Sequence, residues 1–346
     1  MRHMLATMGG FWRLLAVAIC GVWLALSPAA AECVPPPELT EAQASAPAEY
    51  ALGSTRSDRL GRVIAPVSVN GQGPFRFIVD TGANRSVLSQ QLAEQLGLIS
   101  TSTGEVHSVL DVTSAPFVQV ESLRYQNLAL GARALPMLQG SFLAGEQGVL
   151  GVDSMRGRRL RIDFVRNCIE IIPAQGAPRL LRDWTTVRGQ LRFGHLVVIP
   201  ARVADVDVNL FLDTGSNQTL ANPALQAAVI GSVGQRASVE ERTVAYTAGR
   251  PVVLDNAILV PRMRIGARGE ITLRHVTAYV GPFHIFELWG LQDEPAMLIG
   301  MDVLSQTREL AIDYERAIVQ FRFYPPDTPS VSFLQEATRT TGSRTR

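Results

Sequence analysis

The 346-residue sequence contains no lysine, and its 32 basic residues, all arginine, are balanced by 31 acidic residues. A net charge of +1 provides no excess charge that would recruit nucleic acid or anionic lipid, so neither is an expected partner. The three cysteines and five histidines show no CxxC or HxxxH spacing, and no metal site is predicted. No G-x-S-x-G segment occurs, which excludes the usual serine-hydrolase elbow. These absences leave the classes of globular protein that work without metal or nucleic acid.

The apolar stretch near the N-terminus is short. It runs over Leu14–Leu26 and is shorter than the roughly 20 residues that a membrane-spanning helix needs. Basic residues precede this stretch, and the small residues Ser27–Ala31 follow it. Residues 1–31 are therefore predicted to be a secretory signal peptide, with the protein periplasmic or secreted after cleavage. An uncleaved membrane anchor is the alternative.

Two cysteines, Cys33 and Cys168, lie after the predicted cleavage site. In an oxidising compartment they can pair and tie the leading segment to the first domain, or they can remain separate thiols. Residues 32–60 are rich in proline and alanine and are predicted to be a linker, for which a propeptide role stays open. Residues 325–346 are predicted to be a flexible tail.

Between linker and tail the sequence repeats itself. Each copy has an apolar strand, a turn and a second apolar strand that ends in Asp-Thr-Gly, at Asp80 and at Asp213. Nine residues after each aspartate stands a candidate helix N-cap, Ser89 or Asn222. The repeat predicts two related, mostly β lobes.

Each copy also contains a later hydrophobic-hydrophobic-Gly segment. It ends at Gly151 in the first copy and at Gly300 in the second, and the second copy is about sixteen residues longer over this interval. An aspartate follows two residues after each glycine, and Asp153 and Asp302 are predicted to cap short helices.

A carboxylate directly after a buried strand is desolvated, so the fold must use or satisfy it. The glycine two residues on allows a sharp turn and brings backbone N–H groups close to the carboxylate. Two carboxylates held together cannot easily both ionise. The charged one can accept a proton from water as the water attacks a peptide carbonyl, and the neutral one can donate to the developing oxyanion.

Hydrophobic-Asp-Thr-Gly-Ala/Ser, followed by hydrophobic-hydrophobic-Gly, resembles the retropepsin-like aspartic proteases. The resemblance runs from Gly61 to Phe323, with Asp80–Ala83 similar to the retroviral signature and Asp213–Ser216 similar to the pepsin type. Two such lobes in one chain resemble the exported bacterial members of this family.

The resemblance implies a mostly β, acid-protease fold of two duplicated β-barrel lobes, residues 61–175 and 176–324. The lobes would form a pseudo-dimer within one chain, most simply a monomer, with the active site between them. Pairing of copies between two chains is the alternative. The implied activity is that of an aspartic endopeptidase acting on polypeptides with no cofactor or metal.

The resemblance also assigns roles to individual residues. The catalytic pair would be Asp80 and Asp213, and the threonines would brace the two loops across to each other. The supporting loop residues are Thr81, Gly82, Ala83, Thr214, Gly215 and Ser216, with Gly151 and Gly300 packed behind them. Ser216 can donate to Asp213 whereas Ala83 cannot donate to Asp80, which predicts that Asp213 is the charged member.

Two segments match the hairpin flaps that close over substrate in this family, His107–Phe117 and Val244–Val253. The aromatic segment Phe283–Trp289 either lines a specificity pocket or packs in the core. The competing function, from another class, is a catalytically inert peptide-binding protein that keeps the same bilobed cleft.

Overall fold

The computed structural model describes residues 33, 51–131, 133–139, 143–175, 183–234, 237–239, 241–245 and 251–325. All of these residues belong to one compact unit. The predicted signal peptide and the predicted tail after Pro325 lie outside the described residues.

The first copy is built almost entirely from strands, as its alternating apolar pattern predicts. In chain order these strands are β1 Ala51–Ser54, β2 Arg56–Ser57, β3 Val63–Val69, β4 Gln72–Val79, β5 Val87–Ser89, β6 Ser100–His107, β7 Val112–Val120, β8 Leu123–Tyr125, β9 Leu128–Ala129, β10 Arg133–Leu138, β11 Gly148–Leu150, β12 Arg158–Asp163 and β13 Cys168–Pro173.

The second copy follows the same plan. Its strands are β14 Thr185–Arg188, β15 Gln190–Arg192, β16 Leu196–Val203, β17 Val206–Leu212, β18 Leu220–Ala221, β19 Ser238–Val239, β20 Thr243–Ala245, β21 Val252–Leu254, β22 Ala257–Ile265, β23 Ile271–Val280, β24 Ala296–Ile299, β25 Glu309–Asp313 and β26 Ile318–Arg322. The predicted mostly β, duplicated architecture is confirmed.

Each copy forms its own sheet. The first has the order β6-β7-β10-β5-β11-β4-β3-β8-β9, with β2 beside β3. The second has the order β15-β16-β17-β24-β18-β23-β22-β19, and an added pairing of β16 with β22 closes six of these strands into a barrel. Apolar side chains from both faces fill the interiors, which holds the central strands β4 and β17 in place.

Short helices follow the predicted capping residues Ser89 and Asn222, and others occur later in each copy. They are α1 Gln90–Gln95, a 3₁₀ turn Val152–Ser154, α2 Pro223–Val233, α3 His284–Leu288 and α4 Met301–Leu304. Ser89 Oγ accepts from Leu92 N at 3.1 Å, and Asn222 Oδ1 accepts from Leu225 N at 2.9 Å. Both N-caps are confirmed, and Pro223 takes the first helical position of α2.

A third sheet joins the two copies. Its order is β1-β13-β12-β25-β26-β14, so strands of the first half pair directly with strands of the second. Arg161 on β12 donates to Glu170 at 2.8 Å and to Glu309 of the second copy at 2.6 Å, and all three side chains are buried. A lobe boundary drawn along the sequence therefore runs through a continuous sheet.

The described strands begin inside the segment predicted to be a linker. Strand β1 pairs with β13, and Ala51, Thr55 and Asp58 are buried. Residues 51–54 are therefore part of the shared sheet, and the propeptide role of residues 32–60 stays a prediction. Proline and alanine content concealed the short strands of this segment. Cys33 and Cys168 form a disulfide with a Cα–Cα distance of 5.8 Å, so the leading segment is tied to β13.

Within the described part of the chain, no helix has both the length and the apolar character needed to cross a membrane.

Candidate active site

The two Asp-Thr-Gly loops begin where central strands end. Strand β4 is exposed at its start, and its last three residues, Phe77–Val79, are all buried where β11 pairs with them in parallel. Strand β17 likewise has a parallel neighbour, β24. Asp80 N donates to Leu150 O at 3.0 Å, and Asp213 N donates to Ile299 O at 2.9 Å. The hydrophobic-hydrophobic-Gly segments therefore hold the chain at each aspartate.

The two threonines bond across from one loop to the other. Thr81 N donates to Thr214 Oγ1 at 3.1 Å, and Thr214 N donates to Thr81 Oγ1 at 3.2 Å. Each hydroxyl in turn donates at 2.6 Å to the opposite strand, Thr81 to Leu212 O and Thr214 to Val79 O. This symmetric brace is the arrangement that the family resemblance implies, and it fixes the spacing of the two loops.

The brace brings the two carboxyl groups together in a buried position. Asp80 is 5% exposed and Asp213 is 4% exposed. A Cβ on Gly82 would lie 2.8 Å from Asp213 Cγ, and one on Gly215 would lie 2.1 Å from Asp80 Oδ2. Neither glycine has a positive φ. The expectation that they serve a sharp turn is therefore incomplete, since each glycine makes room for the carboxyl of the other loop.

Backbone N–H groups hold each carboxyl in place. Gly82 N donates to Asp80 Oδ1 at 2.8 Å, while Gly215 N and Ser216 N both donate to Asp213 Oδ1 at 3.0 Å. Burial raises the pKa of Asp80, and the N–H of Gly82 and the charge of Arg62 offset part of that rise. Burial and then the neighbouring charge of Asp80 raise the pKa of Asp213 well above its ordinary value. Both shifts favour the neutral form, and repulsion between the two carboxylates favours a pair that holds one proton, with one carboxyl charged and the other neutral.

The side chain of Ser216 does not play its expected part. Its Oγ donates to Gln218 O at 2.8 Å, within its own loop, and only its backbone N–H reaches Asp213. The prediction that the Ser216 hydroxyl makes Asp213 the charged member is therefore wrong. Ala83 bonds through its carbonyl, which accepts from Val152 N at 2.9 Å, as Ser216 O accepts from Met301 N.

The glycines behind the loops lie against backbone. A Cβ on Gly151 would lie 2.7 Å from Arg85 C, and one on Gly300 would lie 2.4 Å from Gln218 O. Their amides donate at 3.1 Å to hydroxyls of the loop exits, Gly151 to Ser86 and Gly300 to Thr219. Both glycines thus lie directly behind the loops, where only a residue without a side chain fits.

Asp153 and Asp302 belong to this same layer. Asp153 accepts from the hydroxyl of Ser86 at 2.7 Å, and Asp302 accepts from that of Thr219 at 2.8 Å. The prediction that they are N-caps is wrong, because Gly151 and Gly300 hold the cap positions. The two aspartates instead anchor the far end of each Asp-Thr-Gly loop.

The first flap segment is a hairpin that touches the second copy. Strands β6 and β7 pair on either side of a turn at residues 108–111. Val109 O accepts from Ile285 N at 3.3 Å, and His107 Nδ1 lies 3.0 Å from His284 Nε2 with the two rings stacked. In the second flap segment β20 pairs with β21, and its tip, residues 246–250, lies outside the described residues.

The aromatic segment packs mainly in the core. Phe283, Phe286 and Trp289 are buried, and the Trp289 ring lies 4.4 Å from that of Phe211. Of the two readings of this segment, core packing is the one that fits these contacts. Among the described residues no group of three or more His, Cys, Asp or Glu side chains is arranged to hold a metal ion. The expectation of a metal-free site remains a prediction.

Three buried polar residues near the pair were not singled out from the sequence. Arg62 is fully buried and paired with Asp58, and the buried hydroxyl of Tyr314 has no hydrogen-bond partner among the described residues. Burial, and then the charge of Asp80, raise the pKa of Tyr314. An alignment of the two copies would have drawn attention to Arg62, because it is a charged residue directly before the apolar strand β3.

A buried carboxyl pair on two cross-braced Asp-Thr-Gly loops defines the class of aspartic-protease sites. The family model described as aspartyl protease matches residues 65–154 and 199–303, once in each copy and over more than half of the chain. The chain therefore belongs to the aspartyl protease family, and the resemblance found in the sequence is confirmed. No curated protein matches the chain.

Proposed function

We propose that the protein is an aspartic endopeptidase in which Asp80 and Asp213 activate a water molecule against a peptide bond. The observation that carries the proposal is the buried pair itself, held by the threonine brace with one N–H-bonded carboxyl from each copy. Family membership supports a peptidase activity. A single chain supplies both aspartates, so the proposed working form is a monomer.

The proposed mechanism gives the two carboxyls of the pair different charges. Asp80, charged, takes a proton from water as the water oxygen bonds to the peptide carbonyl carbon. Asp213, neutral, gives its proton to the carbonyl oxygen. When the resulting gem-diol intermediate collapses, the C–N bond breaks as Asp80 gives its proton to the leaving nitrogen. Asp213 takes a proton from one diol hydroxyl, which becomes the carbonyl oxygen of the new carboxyl group, and the starting state of the pair is restored. Activity should fall at low pH, where Asp80 gains a proton, and at high pH, where Asp213 loses one.

The test compares the full-length protein with Asp80→Asn and Asp213→Asn on an unstructured protein substrate, with cleavage read by mass spectrometry. Asp205→Asn is the matched control, because it makes the same change at an exposed position in the β16–β17 turn. We expect cleavage by the parent and the control, and a loss of at least about a hundredfold in both pair variants. Equal cleavage by all four proteins would contradict the proposal.

The alternative of an inert peptide-binding protein makes a different prediction in the same experiment. Neither the parent nor the variants would cleave, while a fluorescent peptide would still bind and show raised anisotropy. Retention of both aspartates with their N–H donors favours turnover.

We further propose that the protein is exported. The predicted signal peptide and the Cys33–Cys168 disulfide support an oxidising compartment. Fractionation of the producing cell should then recover the chain outside the cytoplasm and shortened after Ala31. Recovery from the cytoplasm with the first 31 residues intact would contradict the proposal.

A further inference from the structure

The register of the strand pairs places a different residue opposite each aspartate. In the first copy Ile64 of β3 pairs with Ile78 of β4, so two residues further on Arg62 faces Asp80. In the second copy Val198 of β16 pairs with Phe211 of β17. Two residues further along that pair, Leu196 faces Asp213. Since side chains two residues apart share a face, each of these residues lies on the same side as the aspartate it opposes.

Arg62 is held in this place by a network within the first copy. Its side chain is 0% exposed, and its Nε donates to Asp58 Oδ2 at 2.7 Å. Its Nη2 donates to Leu143 O at 3.3 Å, whereas its Nη1 is buried with no hydrogen-bond partner among the described residues. Burying a guanidinium costs free energy, and here the N–H donors on Nη1 have no acceptor among the described residues.

We propose that Arg62 is a positioning residue that places the negative charge of the pair on Asp80, and that Leu196 leaves the proton on Asp213. The proposal rests on the proposed function. In a duplicated fold the two backbones supply nearly the same N–H donors, so a neighbour present in only one copy must decide which carboxyl ionises. A cation opposite one carboxyl and a leucine opposite the other is such a difference.

The other charged and titratable groups around the pair are compatible with this role. Asp58 neutralises part of the Arg62 charge, Tyr314 lies close enough to feel the charge of Asp80, and each aspartate faces the other. The charge of Arg62 lowers the pKa of Asp80 relative to burial alone, and it is not among the main influences on the pKa of Asp213.

The first test follows ionisation directly and needs no turnover. Carboxyl ¹³C shifts of the parent, assigned with Asp80→Asn and Asp213→Asn, are followed from acidic to neutral pH. We expect the Asp80 signal to change first, with Asp213 staying protonated to higher pH. If Asp213 ionises first, the proposal is wrong, whether or not the protein cleaves peptides.

The second test measures the pH profile of kcat/KM in a paired variant. Arg62→Met with Asp58→Asn removes the cation without leaving a buried carboxylate unpaired, and the amide oxygen can still accept from the turn N–H groups. Loss of the cation should raise the lower apparent pKa of the pair, which moves the acidic limb upward by about one pH unit. Arg62→Lys, which keeps a cation, and Leu196→Met, a neutral change at the equivalent position, should leave the limb in place.

The outcomes separate this proposal from the proposed function. A folded, active paired variant with an unmoved acidic limb would overturn the role of Arg62 and leave the peptidase proposal standing. A parent without peptidase activity would overturn the function, and the carboxyl titration would still decide the role of Arg62. If the paired variant does not fold by circular dichroism, the titration of the parent decides alone.

Discussion

The two copies present the same loop in different surroundings. In each, backbone N–H groups bond the carboxyl, a threonine braces the opposite loop, and a hydroxyl–aspartate contact holds the loop exit. Continued by two residues, the strand register puts the buried Arg62 opposite Asp80 and the buried Leu196 opposite Asp213. Duplication has kept the backbone that positions both carboxyls and has let their neighbours differ. The proposed chemistry needs one charged and one neutral carboxyl, and this difference between the copies would supply that asymmetry.

The copies also differ in how they are fastened. Strand β1 pairs with β13 as β14 pairs with β26 in the second copy, but the disulfide attaches to β13 of the first copy alone. The two copies share the six-stranded sheet, in which β12 pairs with β25. A change there should affect both copies together, whereas a change at one loop should reveal how far the copies differ.

The largest expected effect is at the shared sheet. Arg161→Met leaves Glu170 buried without its cation and should lower the free energy of unfolding by about 3–5 kcal/mol. Urea titration monitored by circular dichroism measures the loss. Arg202→Met is the control within one copy, because its partner Asp207 is exposed, and it should cost less than about 1 kcal/mol. Equal losses in the two variants would mean that the buried ion pairs of the shared sheet stabilise the protein no more than an exposed ion pair does.

Next comes the tether that only the first copy has. Cys33→Ser with Cys168→Ser opens a link between residues 135 apart in sequence and should lower the free energy of unfolding by about 2–4 kcal/mol. Denaturant unfolding of the parent with and without reductant is the matched comparison. The disulfide would contribute nothing if reductant left the parent's midpoint unchanged.

The glycines test the close approach of the loops. An added methyl in Gly215→Ala would overlap Asp80, and one in Gly82→Ala would overlap Asp213. Displacement of a carboxyl should lower kcat by at least about a hundredfold in both, with the larger loss in Gly215→Ala. Gly231→Ala in α2 is the control, since its Cβ would meet nothing within 4 Å, and it should retain full activity. Wild-type rates in Gly82→Ala and Gly215→Ala would show that the loops can move apart.

The smallest effect is expected at the one loop position where the signatures differ. Ser216→Ala removes a hydroxyl that bonds Gln218 O, so the acidic limb of the pH–rate profile should not move, while stability falls by about 1 kcal/mol. An upward shift of the limb would restore the direct role for Ser216 that its place after Asp-Thr-Gly suggested. Ala83→Ser makes the reciprocal change at the first loop.

Much of the fold was accessible from the sequence because it depends on local patterns. The repeat, the Asp-Thr-Gly loops and the caps at Ser89 and Asn222 each rest on neighbours within a few residues, where spacing and residue type largely set the backbone. The short strands before residue 60 escaped prediction. Strand β1 pairs with β13, more than a hundred residues away, and nothing local marks it as buried. Strand β2 is only two residues long and pairs with β3.

The sequence by itself determined which two carboxyls meet and which backbone segments hold them, since a duplicated motif with matching flanks has few ways to fold. Only the tertiary structure decided the side-chain partners: Ser216 to Gln218 O, Asp302 to Thr219, and Arg62 opposite Asp80. Side-chain hydrogen bonds depend on ångström distances between strands that are remote in sequence. The spacing of residues along the chain does not determine those distances. The register of the paired strands does.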